Sequence, residues 1–237
     1  MPHHDCRVVT GYVRLDNGNR SHDSYETLGN RLLSLPVPIT AFIDPLGTAA
    51  IRPGAGVDVR GASLDDCWLW QIGRHAAVPP GNPVKDTLAY HAVQHEKTAW
   101  LAAVAADAPE NVLAWVDFGL LHVPGVTEAG VVGLVERVSA RAPRDRITVA
   151  SIWGEPIAER IEVGSVQWWC AGGVLIVPRT LAGWFHRRVQ QSVASLLAST
   201  GRVTWEVNVW AEVWSRNPER FGSYRCDHNA SIVECGP

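Results

Sequence analysis

The chain reads as an α/β domain with a mostly parallel, Rossmann-like central sheet flanked by helices. Three observations on its 237 residues support this. Short apolar runs alternate with helix-spaced segments from one end to the other. The first three segments form a strand, a helix and a strand, a βαβ beginning that calls for parallel pairing. No linker, internal repeat or low-complexity stretch divides the chain, so residues 1–237 make one domain, and a composition 46% hydrophobic suffices for its core.

The elements follow in order. Residues 6–13 are the first strand and run into a polar loop over 16–21. Tyr25, Leu28, Leu32, Leu33 and Leu35 give residues 23–35 helical spacing, and Pro36 and Pro38 stop that helix. Residues 39–43 are the second strand, closed by Asp44 and Pro45. Residues 45–63 are rich in glycine and proline, with a short strand over 57–60. Residues 74–85, around Pro79-Pro80-Gly81-Asn82-Pro83, form an irregular loop. The strongest helix spans 86–106, with Pro109 beyond it. A buried strand then runs through Leu113-Ala-Trp-Val-Asp-Phe-Gly119 and ends at Asp117. Thr127 caps a helix that reaches residue 140. Residues 147–153 are a strand. Residues 165–170 and 174–177 are strands on either side of Ala171-Gly172-Gly173. Residues 181–198 and the aromatic segment 205–214 are helices. The tail, 219–237, is strand-like at Tyr224 and at Ile232-Val233.

Composition narrows the function. A net charge of −3 and a pI near 6.3 argue against a dedicated nucleic-acid binder, which would show a basic face. They leave room for a small anionic ligand. Most of the eleven tryptophans sit in apolar runs and read as core. Cys6, Cys67, Cys170, Cys226 and Cys235 are odd in number and scattered, with no Cys-x-x-Cys. That pattern points to a reduced, cytoplasmic chain, with a Cys226–Cys235 disulfide as the alternative. The polar start lacks the apolar region of a signal peptide, and no apolar run is long enough to span a bilayer.

Asp117 is the candidate around which the others arrange themselves. An ionised carboxylate among Val112, Leu113, Trp115, Val116, Phe118, Leu120 and Leu121 needs a metal ion, a cationic side chain or backbone donors to offset its burial. At the end of a strand and before Gly119, it suits a hard divalent cation, Mn²⁺ or Mg²⁺, bound together with ligand phosphates. The alternative is a capping role or an arginine partner. His228, in Tyr224-Arg-Cys-Asp-His-Asn-Ala-Ser231, is the best second ligand, unless that segment is a solvated tail. Gly172-Gly173 permits close backbone approach to a ligand or simply makes a turn. Glu206, in the first turn of its helix, either serves the helix dipole or acts as a catalytic base or hydroxyl-binding acid. Lys97 and Arg20 are the cations placed to meet phosphates, or else solvated charges; Arg20 lies in the loop after strand one, where open α/β sheets bind ligands.

Together, Val9-Thr-Gly-Tyr12, Arg20 with Tyr25, Phe42-Ile-Asp44, Glu96-Lys-Thr98, Trp115-Val-Asp-Phe-Gly119, Gly172-Gly173, Trp205-Glu206 and Asp227-His228-Asn229 resemble a family. They are similar to small bacterial and viral glycosyltransferase-like proteins of the GT-A type, among them the N-terminal domain of a chlorovirus glycosyltransferase. The similarity covers nearly the whole chain, and Trp-Val-Asp-Phe-Gly and Asp-His-Asn-x-Ser are its most specific parts. The resemblance implies a GT-A-like domain whose nucleotide-binding half is about 1–120 and whose acceptor-side half is about 121–237. It implies a metal-dependent glycosyltransferase that moves a sugar from a nucleotide-diphosphate sugar, UDP-sugar favoured, to a glycan or small-molecule hydroxyl. Thr10, Gly11, Tyr12, Arg20, Asp44, Lys97, Trp115, Gly172 and Gly173 would meet the donor. Asp117 and His228 would hold the metal, and Glu206 would act as base. Trp115 stands where the family's Asp-x-Asp motif has its first acid. A non-catalytic nucleotide-sugar-binding protein and a nucleotidyltransferase or phosphohydrolase on a similar sheet are the competing expectations.

Overall fold

The computed structural model describes residues 4–16, 21–46 and 49–237. Among these, the strands form one mixed sheet of seven, in the order β3-β2-β1-β4-β6-β5-β7. They are β1 (Cys6–Tyr12), β2 (Ile39–Ile43), β3 (Val57–Gly61), β4 (Val112–Val116), β5 (Ile147–Ser151), β6 (Val174–Pro178) and β7 (Phe221–Arg225). All neighbours pair in parallel except β6, which runs antiparallel to both β4 and β5. The expected mostly parallel α/β architecture is the one observed. β2, β4, β5 and β6 are buried at every position, as strands covered on both faces must be.

Helices cover the two faces. Val9, Leu113, Trp115, Val149 and Leu175 face a cluster that includes Trp100, Leu101 and Val104 of α3 (Leu88–Ala105), Phe185 and Val189 of α5 (Arg179–Thr200) and Trp210 of α6 (Glu206–Arg216). Val8, Val112, Ala114, Val116 and Ile176 face the opposite cluster, built from α1 (His22–Leu33), α4 (Glu128–Arg141) and α7 (Ser231–Glu234). Strand residues alternate between the two layers, as the pleat requires. Thr127 caps its helix as expected, accepting from the Gly130 backbone N–H, and Ser21 and Thr87 likewise accept from the Ser24 and Tyr90 backbone N–H groups.

Three expectations need correction. A short helix, α2 (Trp68–Ile72), has no counterpart among the expected elements. Residues 165–170 form no strand; side chains take the backbone groups a ladder would need. Gln167 N–H donates to Asn208 Oδ1 (2.9 Å) and Asn208 Nδ2 donates to Ser165 O (2.8 Å). Ile232-Val233 lies in α7, not in a strand, and packs into the α1/α4 layer. The cysteines are all free, Cys226 and Cys235 included. Among the described residues no helix is long and apolar enough to cross a membrane.

Strand order locates the site. From β1 the chain moves outward to β2 and β3, then returns to the other side of β1 as β4. The carboxyl ends of β1 and β4 therefore flank a switch point, where open α/β sheets leave a crevice. Tyr12 ends β1, and Asp117 directly follows β4.

Candidate functional site

A cleft with two lobes opens at this switch point. Gly11, Tyr12, Tyr25, Trp100, Trp115 and Phe118 give the first lobe, about 210 Å³, an aromatic lining. The second, about 720 Å³, is lined by Asp86, Trp168, Gly172, Gly173, Glu206 and His228, among others, and is called the polar lobe for the carboxylates Asp86 and Glu206 that it adds. Lys85, Tyr90, Gln94, Lys97, Asp117 and His122 belong to both, so the lobes meet at the end of β4. The larger volume falls in the range of small-molecule sites.

Aromatic packing shapes the first lobe. Tyr12 stacks on Phe118 with centroids 5.0 Å apart, and Trp100 stacks between Trp115 (5.8 Å) and Phe42 (5.3 Å). A Cβ at Gly11 would run into the Trp100 ring, which explains why glycine stands there. The Tyr12 hydroxyl meets His22 Nδ1 at 3.0 Å.

Lys97 organises the junction. Its Nζ donates to Glu206 Oε1 (2.9 Å) and Gly172 O (3.0 Å) and lies 3.0 Å from Asp117 Oδ1. Three acceptors satisfy the three ammonium hydrogens. The ammonium also lies 5.6 Å and 5.8 Å from the Trp115 and Trp210 ring centroids. Burial pulls the lysine pKa down, but Asp117 and Glu206 outweigh it and hold it above the ordinary range. Burial likewise pushes Glu206 up, yet Lys97 brings that carboxyl below the usual carboxylate range. Both stay ionised near neutral pH. The partners that Asp117 was expected to need are thus a lysine and the Trp115 indole, whose Nε1 donates to Asp117 Oδ1 at 2.7 Å. Asp117 Oδ2 makes no hydrogen bond among the described residues, and the side chain is 36% exposed.

The remaining expected residues divide. Gly172, Gly173 and His228 line the polar lobe with Asp117 and Glu206. Gly173 O accepts from the Asp117 backbone N–H (2.9 Å), which fixes the start of β6 against the end of β4. His228 sits edge-on to Trp168, centroids 4.4 Å apart. Trp115 lines the aromatic lobe. Two others stand apart from both lobes. Thr10 is buried in the sheet and its hydroxyl finds no partner among the described residues. Asp44 accepts from the Arg14 and Leu46 backbone N–H groups (3.2 and 2.9 Å) and shapes the turn after β2. Arg20 lies outside the described residues.

The structure adds Lys85, Tyr90, Gln94 and His122. Tyr90, Gln94 and Lys97 stand at i, i+4 and i+7 of α3, one helical face. That spacing of polar side chains along one face is the signal that could have found them. Lys85 lies 4.9 Å over the Tyr90 ring and makes no ion pair among the described residues.

For a divalent cation, Asp117 Oδ2 and the His228 imidazole are the available donors on the polar lobe. No group of three or more His, Cys, Asp or Glu side chains converges on a metal-sized point among the described residues. A cation there would be met by one or two protein ligands, with phosphate or water supplying the rest, as is common for Mg²⁺.

No protein-family model matches the chain, and no curated protein matches it.

Proposed function

We propose that the protein is a glycosyltransferase that takes a nucleoside-diphosphate sugar, UDP-sugar favoured, and delivers the sugar to a hydroxyl of a glycan or small molecule. One observation carries this reading: an aromatic lobe and a polar lobe meet over the carboxyl ends of β1 and β4, with a lysine-held acid pair at their junction. A planar base suits the slot beside Tyr12 and Phe118. A sugar suits the polar lobe, and the diphosphate would span the junction.

In this reading the chain's own groups divide the work. Lys85, with no ion-pair partner among the described residues, meets phosphate oxygens. Lys97 keeps Glu206 ionised and holds Asp117 in place; direct contact with a phosphate would require it to give up one of its three acceptors. Glu206 accepts a hydrogen bond from a sugar or acceptor hydroxyl. Held by Lys97, it is a weaker base than a free carboxylate, so orienting that hydroxyl is its main task. Gly172 leaves Glu206 open to the lobe, since a Cβ there would stand 2.6 Å from Glu206 Oε1. Asp117 and His228 would hold Mn²⁺ or Mg²⁺, which when bound supplies positive charge to the departing diphosphate. The scissile carbon gains oxocarbenium character as its bond to phosphate breaks. The first half of the chain supplies the nucleotide side and the second half the acceptor side. Five free, mostly buried cysteines suit a reducing cytoplasm.

The identity of the released product tests the reaction. Incubation with UDP-sugars, Mn²⁺ and candidate acceptors, followed by ³¹P NMR, is expected to show UDP accumulating. Pyrophosphate would identify a nucleotidyltransferase instead. Donor binding with no release would favour a non-catalytic binding protein, a second reading motivated by Trp115 in place of an acid.

A further inference from the structure

A second groove opens at the same edge of the sheet, beyond the end of β5. It encloses about 520 Å³ and is lined by Trp153, Glu159, Arg160, Glu162, Gln167 and Trp169. The segment 167–169 contributes to both this groove and the cleft. Trp168 lines the polar lobe, whereas its neighbours Gln167 and Trp169 line the groove.

Trp153 is 47% exposed, yet both its backbone and one edge of its ring are anchored. Its N–H donates to Trp168 O at 3.1 Å. The turn that carries it is closed by Ser151 Oγ, which donates to Gly154 O (2.7 Å) and accepts from Gly154 N–H (2.9 Å). Gly154 takes φ 91°, a conformation other residues resist. The Trp153 ring meets Trp169 edge-to-face, centroids 5.4 Å apart. The opposite wall is fixed as well: Gln167 Nε2 donates to Arg160 O (2.7 Å), its Oε1 accepts from Glu162 N–H (3.0 Å), and Asn208 Nδ2 donates to Glu162 O (2.9 Å).

An exposed indole in a rigid frame, flanked by two carboxylates and a guanidinium, has the chemistry of a sugar platform. The apolar face of a sugar ring lies on the indole, and its hydroxyls donate to Glu159 and Glu162 and accept from Arg160. Because the frame is ordered beforehand, binding loses little entropy in arranging it. A protein partner would be better served by a continuous apolar patch, and the charged residues interrupt one here.

We infer that this groove is a saccharide-binding subsite, with Trp153 as its stacking platform. Its role as the acceptor's subsite rests on the transferase reading; saccharide binding itself does not. The test titrates soluble malto-, cello- and chito-oligosaccharides into the full chain, followed by calorimetry and tryptophan fluorescence. At least one series is expected to bind, with Trp153→Ala weakening it by roughly tenfold or more and Trp153→Tyr retaining most of the affinity. UDP-sugar binding is expected to be the same in both variants. The inference is overturned if none of the three series binds, or if Trp153→Ala binds as tightly as the wild type. Failure of UDP-sugars to bind the wild type would count against the transferase alone, since the saccharide titration contains no donor.

Discussion

An ammonium with 2% of its side chain exposed stays charged only if its partners outweigh the lost hydration, and Lys97 has three. Asp117, Glu206 and Gly172 O together satisfy it, while Lys97 in turn keeps the buried Glu206 ionised. Removing the cation strands Glu206 in the interior. Lys97→Met is therefore expected to cost roughly 3–5 kcal/mol in urea unfolding, and the double variant Lys97→Met with Glu206→Gln to recover a large part of that. Glu96 presents the opposite case. Burial pushes its pKa from 4.5 to about 7, with only the Trp68 backbone N–H opposing. The folded chain thus holds this proton more tightly than the unfolded chain does, so its contribution to stability is lost as pH rises from about 4.5 through about 7. Glu96→Gln, which keeps the acceptor for Trp68, is expected to stabilise the protein near pH 8 by roughly 1–3 kcal/mol and to change little near pH 5, as read by urea unfolding at each pH.

Two connections between elements position the acids. The first is the entry to β6, where Gly172 passes close to Glu206. Gly172→Ala is expected to displace Glu206 from Lys97, lower stability by about 1–3 kcal/mol in thermal unfolding and weaken donor binding in calorimetry. The second is the start of α6, where Asn208 holds Glu162 O, Ser165 O and Gln167 N–H. Asn208→Ala leaves these without a partner; a loss of about 2 kcal/mol or more is expected, with faster amide hydrogen exchange over 162–168. These links also explain what was legible in the sequence. Apolar runs mark β1, β2, β4 and β6 because both faces are covered, but a doubly buried strand reads alike in either direction, so the reversal of β6 leaves no local trace. Val166-Gln-Trp-Trp-Cys170 has the composition of a strand, and what prevents one is a side chain about forty residues later. Asp117 announced itself as a charge out of place. Its partner did not, because Lys97 comes from a helix twenty positions earlier and Glu206 joins it across 109 residues.

At the scale of the molecule, strand order explains why these residues meet. The outward run β1-β2-β3 and the return to β4 set Tyr12 and Asp117 side by side at one edge, and α3 crosses above them with Tyr90, Gln94 and Lys97 on one face. The reversed β6 brings Gly172-Gly173 to the same edge, and α6 begins there with Glu206. The chain's only lysines, Lys97 and Lys85, both line this cleft; Asp117 and Glu206 offset Lys97, so on the proposed reading it is Lys85 that meets phosphate. On the proposed reading the cleft binds a nucleoside-diphosphate sugar through Asp117. Calorimetric titration of UDP-sugars into the wild type and Asp117→Asn, each with Mn²⁺ and with EDTA, tests this. Saturable binding to the wild type with Mn²⁺ is expected, weakening by roughly tenfold or more in EDTA and in the variant. Binding that is equal in all four titrations, or absent from the wild type across the donor panel, would contradict it.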